Sequence, residues 1–270
     1  MIIGEQDFKQ FADYIKANYG INFKQEKKTL VEGRLRSVLI SMNISSLSEY
    51  LAYVKADKTG KAASVMLNRI TTNHTFFMRE RAHFDYFRDN ILPLVFKSRQ
   101  QKDLRIWSAA CSTGEEPYTL AMIIADYFGS LKAERNTQIL ATDISQGVLD
   151  SAKKGIYPKE KMSDVPDVWK KRYFKDDKSG NYIVNEQIKK EVIFKNLNLM
   201  DKVFPFRRKM HVIFCRNVMI YFDNDTKDQL IEHLYDVTEP GGFLFIGHSE
   251  SLNRSKSKYK YVMPAVYTKE

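Results

Sequence analysis

The sequence predicts an α/β protein: a doubly wound, mostly parallel sheet, preceded by an all-helical domain and carrying a small β insertion. Three observations predict it. Residues 5–90 place apolar side chains at three- and four-residue steps, with no strand signal among them. From about residue 103 the period changes. Nearly continuous apolar runs, LRIWSAAC, TQILATDIS, HVIFCRNVMIYF and GGFLFIGHSES, end in small or polar residues and alternate with helical stretches. That is the pattern of parallel strands covered on both faces. Between Val165 and Asn198 the alternation breaks into RYF, NYIVN and EVIFKN, three short strand-like pieces with a Lys178-Ser179-Gly180 turn. The resulting division is a helical domain over 1–85, a linker over 86–102 and a sheet domain over 103–270, with the β subdomain at about 165–197.

Each helix has its own signal. Phe8, Phe11, Ile15 and Tyr19 form one stripe that Gly20 stops. Leu30, Val31, Leu35, Val38 and Leu39 form the next. SSLSEYLAYVKAD opens on serine caps, and KAASVMLNRITTN carries Val65, Met66, Leu67 and Ile70. In the sheet domain, EPYTLAMIIADYFG and DTKDQLIEHLYDVTE are the clearest crossover helices. The Pro240-Gly241-Gly242 triplet reads as a break before the fourth strand. YKYVMPAVYTKE reads as a terminal strand with Pro264 near an edge or bulge.

The chain's 270 residues suffice for a full core, and its longest apolar runs are of strand length, too short for a membrane span. The start, MIIGEQDFKQ, lacks the basic-then-apolar layout of a signal peptide, so the expected location is the cytoplasm. Cys111 and Cys215 are too few for a disulfide framework and, with five scattered histidines, for a structural zinc site. No metal is expected. The net charge of +10 is concentrated toward the N-terminus, where Lys24, Lys27, Lys28, Arg34 and Arg36 cluster. Such a surface attracts an acidic partner of some kind.

In a doubly wound sheet, ligands bind beyond the carboxyl ends of the strands. SAACSTGEEPYTLA occupies the first such end, and Gly114 suits a tight turn or close ligand approach. Pro117 suits the first helical turn. Glu115 and Glu116 would repel a pyrophosphate, and neither G-x-G-x-x-G nor G-x-x-x-x-G-K-[ST] is present. Asp143 ends the next strand, where an acid can accept both hydroxyls of a ribose. S-adenosylmethionine meets the three conditions these residues set: a ribose, no phosphate and a cationic group. Asn198 follows EVIFKN, in NLNLMD; Arg216, Asn217, Val218 and then Tyr221 follow the HVIFC run. Upstream, TTNHTFFMRERAHF read as helix from about Thr75 puts Thr75 and Arg79 on one face. Arg79 there could orient a carboxylate.

Together TTNHTFFMRE, WSAACSTGEEPYTLA, ATDIS, GIY, NLNL, FCRNVMIYF and GGFLFIGHSE resemble, in order, the bacterial chemotaxis receptor glutamate O-methyltransferases. The resemblance covers most of residues 65–250. It implies a Rossmann-like class I methyltransferase sheet behind a helical domain, S-adenosylmethionine as cofactor, and the cytoplasmic domain of chemoreceptors as partner. It implies that Asn73, Thr75 and Arg79 contact cofactor or substrate, that Glu116 holds the methionine ammonium and Asp143 the ribose. Asn198-Leu199 and Asn217-Val218 would line the adenosine and methionine portions, with Tyr221 near the transferred methyl. Glu115 is expected only to cap its helix. One feature departs from the enteric members: the β-subdomain loop KDDKSGNY is short with one glycine, which argues against docking of a receptor's terminal peptide there.

Other readings are a nucleic-acid methyltransferase and a non-catalytic cofactor-binding scaffold. The first lacks an Asn/Asp-Pro-Pro-aromatic motif, since the place reads Asn217-Val218-Met219-Ile220. A serine hydrolase built on GHSES lacks the second glycine of its motif.

Overall fold

The computed structural model describes residues 4–96, 103–134 and 136–270; the rest of the expected linker, 97–102, lies outside the described residues. The first layer is helical. α1 (Glu5–Tyr19), α2 (Lys28–Ser41), α3 (Leu47–Ala56) and α4 (Lys61–Ile70) turn their apolar stripes into one core of Phe8, Phe11, Ile15, Leu35, Leu39, Leu51, Met66 and Ile70 among others. Gly20 ends α1 at φ 73, with its N–H on the Lys16 carbonyl. The Ser46 hydroxyl caps α3 by accepting from the Glu49 N–H. Leu30 and Val65 depart from their stripes and are exposed; Leu30 faces the cleft described below.

This helical core ends at Ile70. Beyond it α5 (Arg81–Tyr86), a π turn over Phe87–Ile91 and α6 (Leu92–Val95) form one unbroken arm. Its Phe84, Phe87, Ile91 and Leu92 are buried in the core of the sheet. The boundary drawn at 85 therefore runs through a segment that packs as a unit, and residues 86–95 of the expected linker are helical.

The main sheet joins β1 (Ile106–Ala109), β2 (Ile139–Asp143), β6 (Val192–Asn196), β7 (Met210–Cys215), β8 (Thr238–Phe245), β9 (Lys260–Met263) and β10 (Val266–Thr268) in the order β6-β2-β1-β7-β8-β10-β9. The first five are parallel; β10 runs antiparallel to β8 and β9. The chain winds outward through β2 to β6, then returns to β7, so the switch point lies between β1 and β7. Successive side chains serve opposite faces. Ile106, Val212 and Phe214 enter one core with α7 (Glu115–Phe128); Trp107, Ile213 and Cys215 enter the other with the helix Asn224–Asp236. Ala109 pairs with Cys215, so the two cysteine-bearing segments are neighbours. Both thiols are buried and free, and burial pushes both well above the usual thiol range.

Three strand readings need correction. EVIFKN is β6, the edge of the main sheet on β2, not part of the insertion. The small antiparallel sheet is β3-β5-β4, with β3 (Ile156–Pro158) recruited from GIY, β4 (Phe174–Asp176) and β5 (Asn181–Val184). Three residues of β3 are too few to show a period. The Pro240-Gly241-Gly242 triplet lies within β8, where the register to β7 shifts, so it is a bulge rather than a break. The terminal segment is two strands, folded back at Pro264-Ala265.

Candidate functional site

The carboxyl ends of β1, β2, β6 and β7 open onto a cleft of about 400 Å³, roofed by the helical layer and the 71–79 segment. Its floor is the loop after β1. Ala110, Ser112 and Gly114 all take positive φ, at 67, 50 and 93 degrees. For non-glycine residues this costs on the order of 1–3 kcal/mol each, so the surroundings must hold the loop. They do so: the Cys111 N–H bonds the Thr142 carbonyl at 2.8 Å, the Ser112 N–H bonds Asp143 Oδ2 at 2.8 Å, and the Tyr157 hydroxyl bonds the Thr113 carbonyl at 2.6 Å. A Cβ on Gly114 would come within 2.9 Å of Ala152 Cβ. The glycine thus serves the turn and its packing on α8 (Gln146–Lys154), rather than a ligand's approach.

The adjacent glutamates part ways. Glu115, in the first turn of α7, is fully buried away from the cleft and is held by side chains: Lys161 Nζ reaches its carboxylate at 2.6 Å, as does the Thr113 hydroxyl. The pair ties the loop to the turn after β3. Glu116 faces the cleft. It accepts from the Ser108 hydroxyl and from Arg216 Nη1, both at 2.7 Å. Burial pushes its carboxyl up, while Arg216 and Ser108 pull it down. Each carboxylate oxygen keeps a further acceptor site. Asp143, at the end of β2, accepts from the Ser145 and Ser112 N–H groups, one on each oxygen. Burial raises this carboxyl against those two bonds.

The remaining expected residues also line the cleft, though not all in the manner expected. No helix starts at Thr75. Residues 72–76 are without regular structure, Met78 and Glu80 take φ near 60 degrees, and α5 begins only at Arg81. Arg79 comes to the cleft on a turn, its Nη1 on the His74 carbonyl at 2.8 Å. The turn is held because Arg216 Nη2 bonds the Arg79 carbonyl and the Glu80 carboxylate. Asn73 offers its carbonyl to the Ser112 hydroxyl at 3.4 Å. Asn198 spends both ends of its amide on protein: Nδ2 donates to the Asn18 carbonyl at 2.7 Å, and Oδ1 accepts from the Met200 N–H. Leu199 is buried beside it, and Val218 lies half-buried at the wall. Asn217 is left-handed at φ 57; its Nδ2 donates to Glu80 Oε1 at 3.0 Å. Tyr221 closes a short turn over Met219–Tyr221 and accepts the Asn22 N–H on its carbonyl.

Arg216 and Glu80 carry the site's electrostatics. Arg216 stood at a strand end in the sequence without a role, and its signal there was only its place after FC. Burial would raise Glu80, but Asn217 and Arg216 hold it down at about 2. Ligand atoms of Glu80, His83 and His248 lie within 4.8 Å of one another, yet the Arg216 guanidinium already stands against Glu80 at 3.0 Å, where a cation would sit.

Two family descriptions match the chain, CheR methyltransferase, all-alpha domain, over residues 6–71, and CheR methyltransferase, SAM binding domain, over residues 73–267. The chain belongs to the CheR methyltransferase family. Among CheR relatives, the chemotaxis protein methyltransferase of Borreliella burgdorferi is 38% identical, covering 99% of this chain and 95% of its own. The chemotaxis protein methyltransferase 2 of Pseudomonas aeruginosa is 36% identical over 97% and 92%, and the Escherichia coli chemotaxis protein methyltransferase 32% over 99% and 92%. The protein is therefore an S-adenosylmethionine-dependent methyltransferase of the chemotaxis type. The cleft suits that cofactor: two carboxylates on the floor, Glu116 and Asp143, can accept from its ammonium and hydroxyl groups, beside an apolar wall of Ile144, Leu197, Leu199 and Val218. Among the described residues no helix is long and apolar enough to cross a membrane.

Proposed function

We propose that this methyltransferase esterifies glutamate side chains on the cytoplasmic helices of chemoreceptors. The observation that carries the reading is the convergence of Arg79 and Tyr221 on the same cleft as the Glu116–Arg216 pair and Asp143. Glu116 would hold the cofactor's ammonium and Asp143 its ribose hydroxyls, with Asn73, Thr75, Leu199, Asn217 and Val218 along the walls. Asn198 contributes by joining the wall to α1. When bound, the cofactor would supply a sulfonium methyl to a carboxylate oxygen, the S–CH3 bond breaking as the O–CH3 bond forms, and would leave as neutral S-adenosylhomocysteine without any proton transfer.

A glutamate with pKa about 4.3 is already ionised at neutral pH, so the site needs no general base. Arg79 faces the acceptor carboxylate with a planar, permanently charged donor pair. Tyr221 bounds the slot through which the acceptor reaches. Positioning of this kind supplies on the order of 7–11 kcal/mol in well-oriented systems. The β4–β5 turn is closed on itself by Asp177, which accepts from Ser179 and Asn181, and a receptor's terminal peptide is not assigned to this sheet.

The test is incubation with labelled S-adenosylmethionine and receptor cytoplasmic fragments, read as base-labile methyl ester. Ester on receptor glutamates is the expected result; label in nucleic acid, or none, would overturn the reading. In the same assay Arg79→Ala should lose at least about tenfold in kcat/KM, the scale of one charge-assisted contact. Full turnover by a folded Arg79→Ala would remove the role given to Arg79.

A further inference from the structure

Helix α4 leads the chain from the helical bundle to the edge of the cleft, and one of its side chains reaches across to the sheet domain. Asn68 Oδ1 accepts two hydrogen bonds there, from the Ser145 hydroxyl at 2.6 Å and from the Gly147 N–H at 3.1 Å. Ser145 caps α8, and its own N–H bonds Asp143 Oδ1 at 2.9 Å. The three residues form a chain: Asn68 holds Ser145, and Ser145 holds Asp143.

Two further features show a fitted contact. The first N–H groups of a helix have no partner within it. Asn68 supplies an acceptor for the second residue of α8 from another layer of the protein. In addition, a Cβ on Gly147 would lie 2.9 Å from Asn68 Nδ2, so glycine there is what allows Asn68 to come so near. Two residues after Asn68, α4 ends and the chain enters the 71–76 segment that borders the cleft.

We propose that Asn68 is a positioning residue for the cofactor. It seats Asp143 through Ser145, and so makes cofactor affinity depend on the docking of the helical layer against α8. The inference rests on the reading of Asp143 as the ribose acceptor. Its chemistry is specific: Asn68 acts through its oxygen alone. An aspartate at 68 keeps that acceptor, and its negative charge suits the N-terminus of α8. An alanine keeps neither. Because coupling between two binding events is reciprocal, a bound cofactor must in turn tighten the α4–α8 contact.

The experiment uses the full chain and S-adenosylhomocysteine as probe, with affinity read by calorimetry and turnover by ester formation. Asn68→Ala should bind it about tenfold more weakly, which is about 1.4 kcal/mol. The KM for S-adenosylmethionine should rise to match, with kcat at saturation within about twofold, since the group acts on binding rather than on the acceptor. Asn68→Asp should stay within about twofold of the wild type. Gly147→Ala, which crowds the contact from the other side, should reproduce the loss, and it decides the matter if Asn68→Ala fails to fold. In the wild type the probe should slow hydrogen exchange in α4 as well as α8. Equal losses in Asn68→Asp and Asn68→Ala, or unchanged affinity in Asn68→Ala, would overturn the proposal. Asp143→Asn separates the two readings. If it binds the probe like the wild type, the ribose assignment fails and takes this inference with it. If it loses binding while Asn68→Ala does not, only the inference falls.

Discussion

Arg216 Nη1 stands 2.7 Å from Glu116 Oε2, and the same guanidinium reaches Glu80 Oε2 at 3.0 Å. One buried cation thus serves two carboxylates, one from the turn before α5 and one from the first turn of α7. Removing it leaves both buried and unpaired. Breaking such a pair from the cation's side typically costs about 3–5 kcal/mol. Arg216→Met should therefore lose stability on that scale in urea unfolding, and Glu116→Gln distinctly less, since Arg216 keeps Glu80. Glu116→Gln should instead show its effect in S-adenosylhomocysteine affinity. Equal destabilisation by the two variants would deny the shared role of Arg216.

The contribution of His83 to stability should fall with acid from the histidine range downward. Burial, helped by the Arg216 charge, lowers His83 from 6.5 to about 3 in the fold. The unfolded chain therefore takes a proton below about 6.5 that the fold refuses until about 3. The stability this neutral imidazole contributes is present above 6.5 and is lost as pH falls through that window. Glu80, held at about 2 against 4.5, adds a second loss below about 4.5. One such group gives a slope of up to about 1.4 kcal/mol per pH unit. His83→Leu should flatten the unfolding free energy between about pH 4.5 and 6.5 by most of that slope. His211, also lowered by burial, leaves a smaller remainder. An unchanged slope in His83→Leu would contradict the assignment.

Gly114 is fixed by two separate demands, a φ of 93 degrees and the contact with Ala152. Gly114→Ala should destabilise by about 1–3 kcal/mol, in the range of overpacked sites. Pairing it with Ala152→Gly relieves the contact but not the backbone. The double variant should recover part of the loss in thermal unfolding; full recovery would mean that the left-handed turn costs nothing.

The basic N-terminal surface predicts a salt-dependent encounter with an acidic receptor bundle. Lys24 and Lys27 are exposed at the rim of the cleft. Arg34 is committed inward, to the Ile70 carbonyl and the Thr72 hydroxyl. Receptor methylation should slow as salt rises, and Lys27→Glu should lower kcat/KM more at low salt than at high. A flat salt profile would remove the steering idea.

Much of the architecture was legible because period and punctuation are local. Apart from Leu30 and Val65, the stripes of α1 to α4 point inward as their spacing requires, and Gly20 and Ser46 sit at the helix ends where their chemistry places them. Asp143 and Glu116 were legible as cleft carboxylates, because the carboxyl ends of parallel strands must face one side of the sheet. The small sheet was only half legible. EVIFKN has strand character, but character does not name a partner, and β2 claimed it for the main sheet. The turn carrying Arg79 was misread as helix, because its left-handed residues, Met78 and Glu80, have no sequence mark of that conformation. It persists through Arg216, 137 positions from the Arg79 carbonyl.

The sequence by itself determined the layers of this protein, the faces its helices bury and the acids its strands present, since each follows from neighbours along the chain. Only the tertiary structure decided which of those groups act together. Glu116 meets Arg216 across 100 positions and Asn68 meets Ser145 across 77. Such meetings depend on how whole elements pack, and no local period records them.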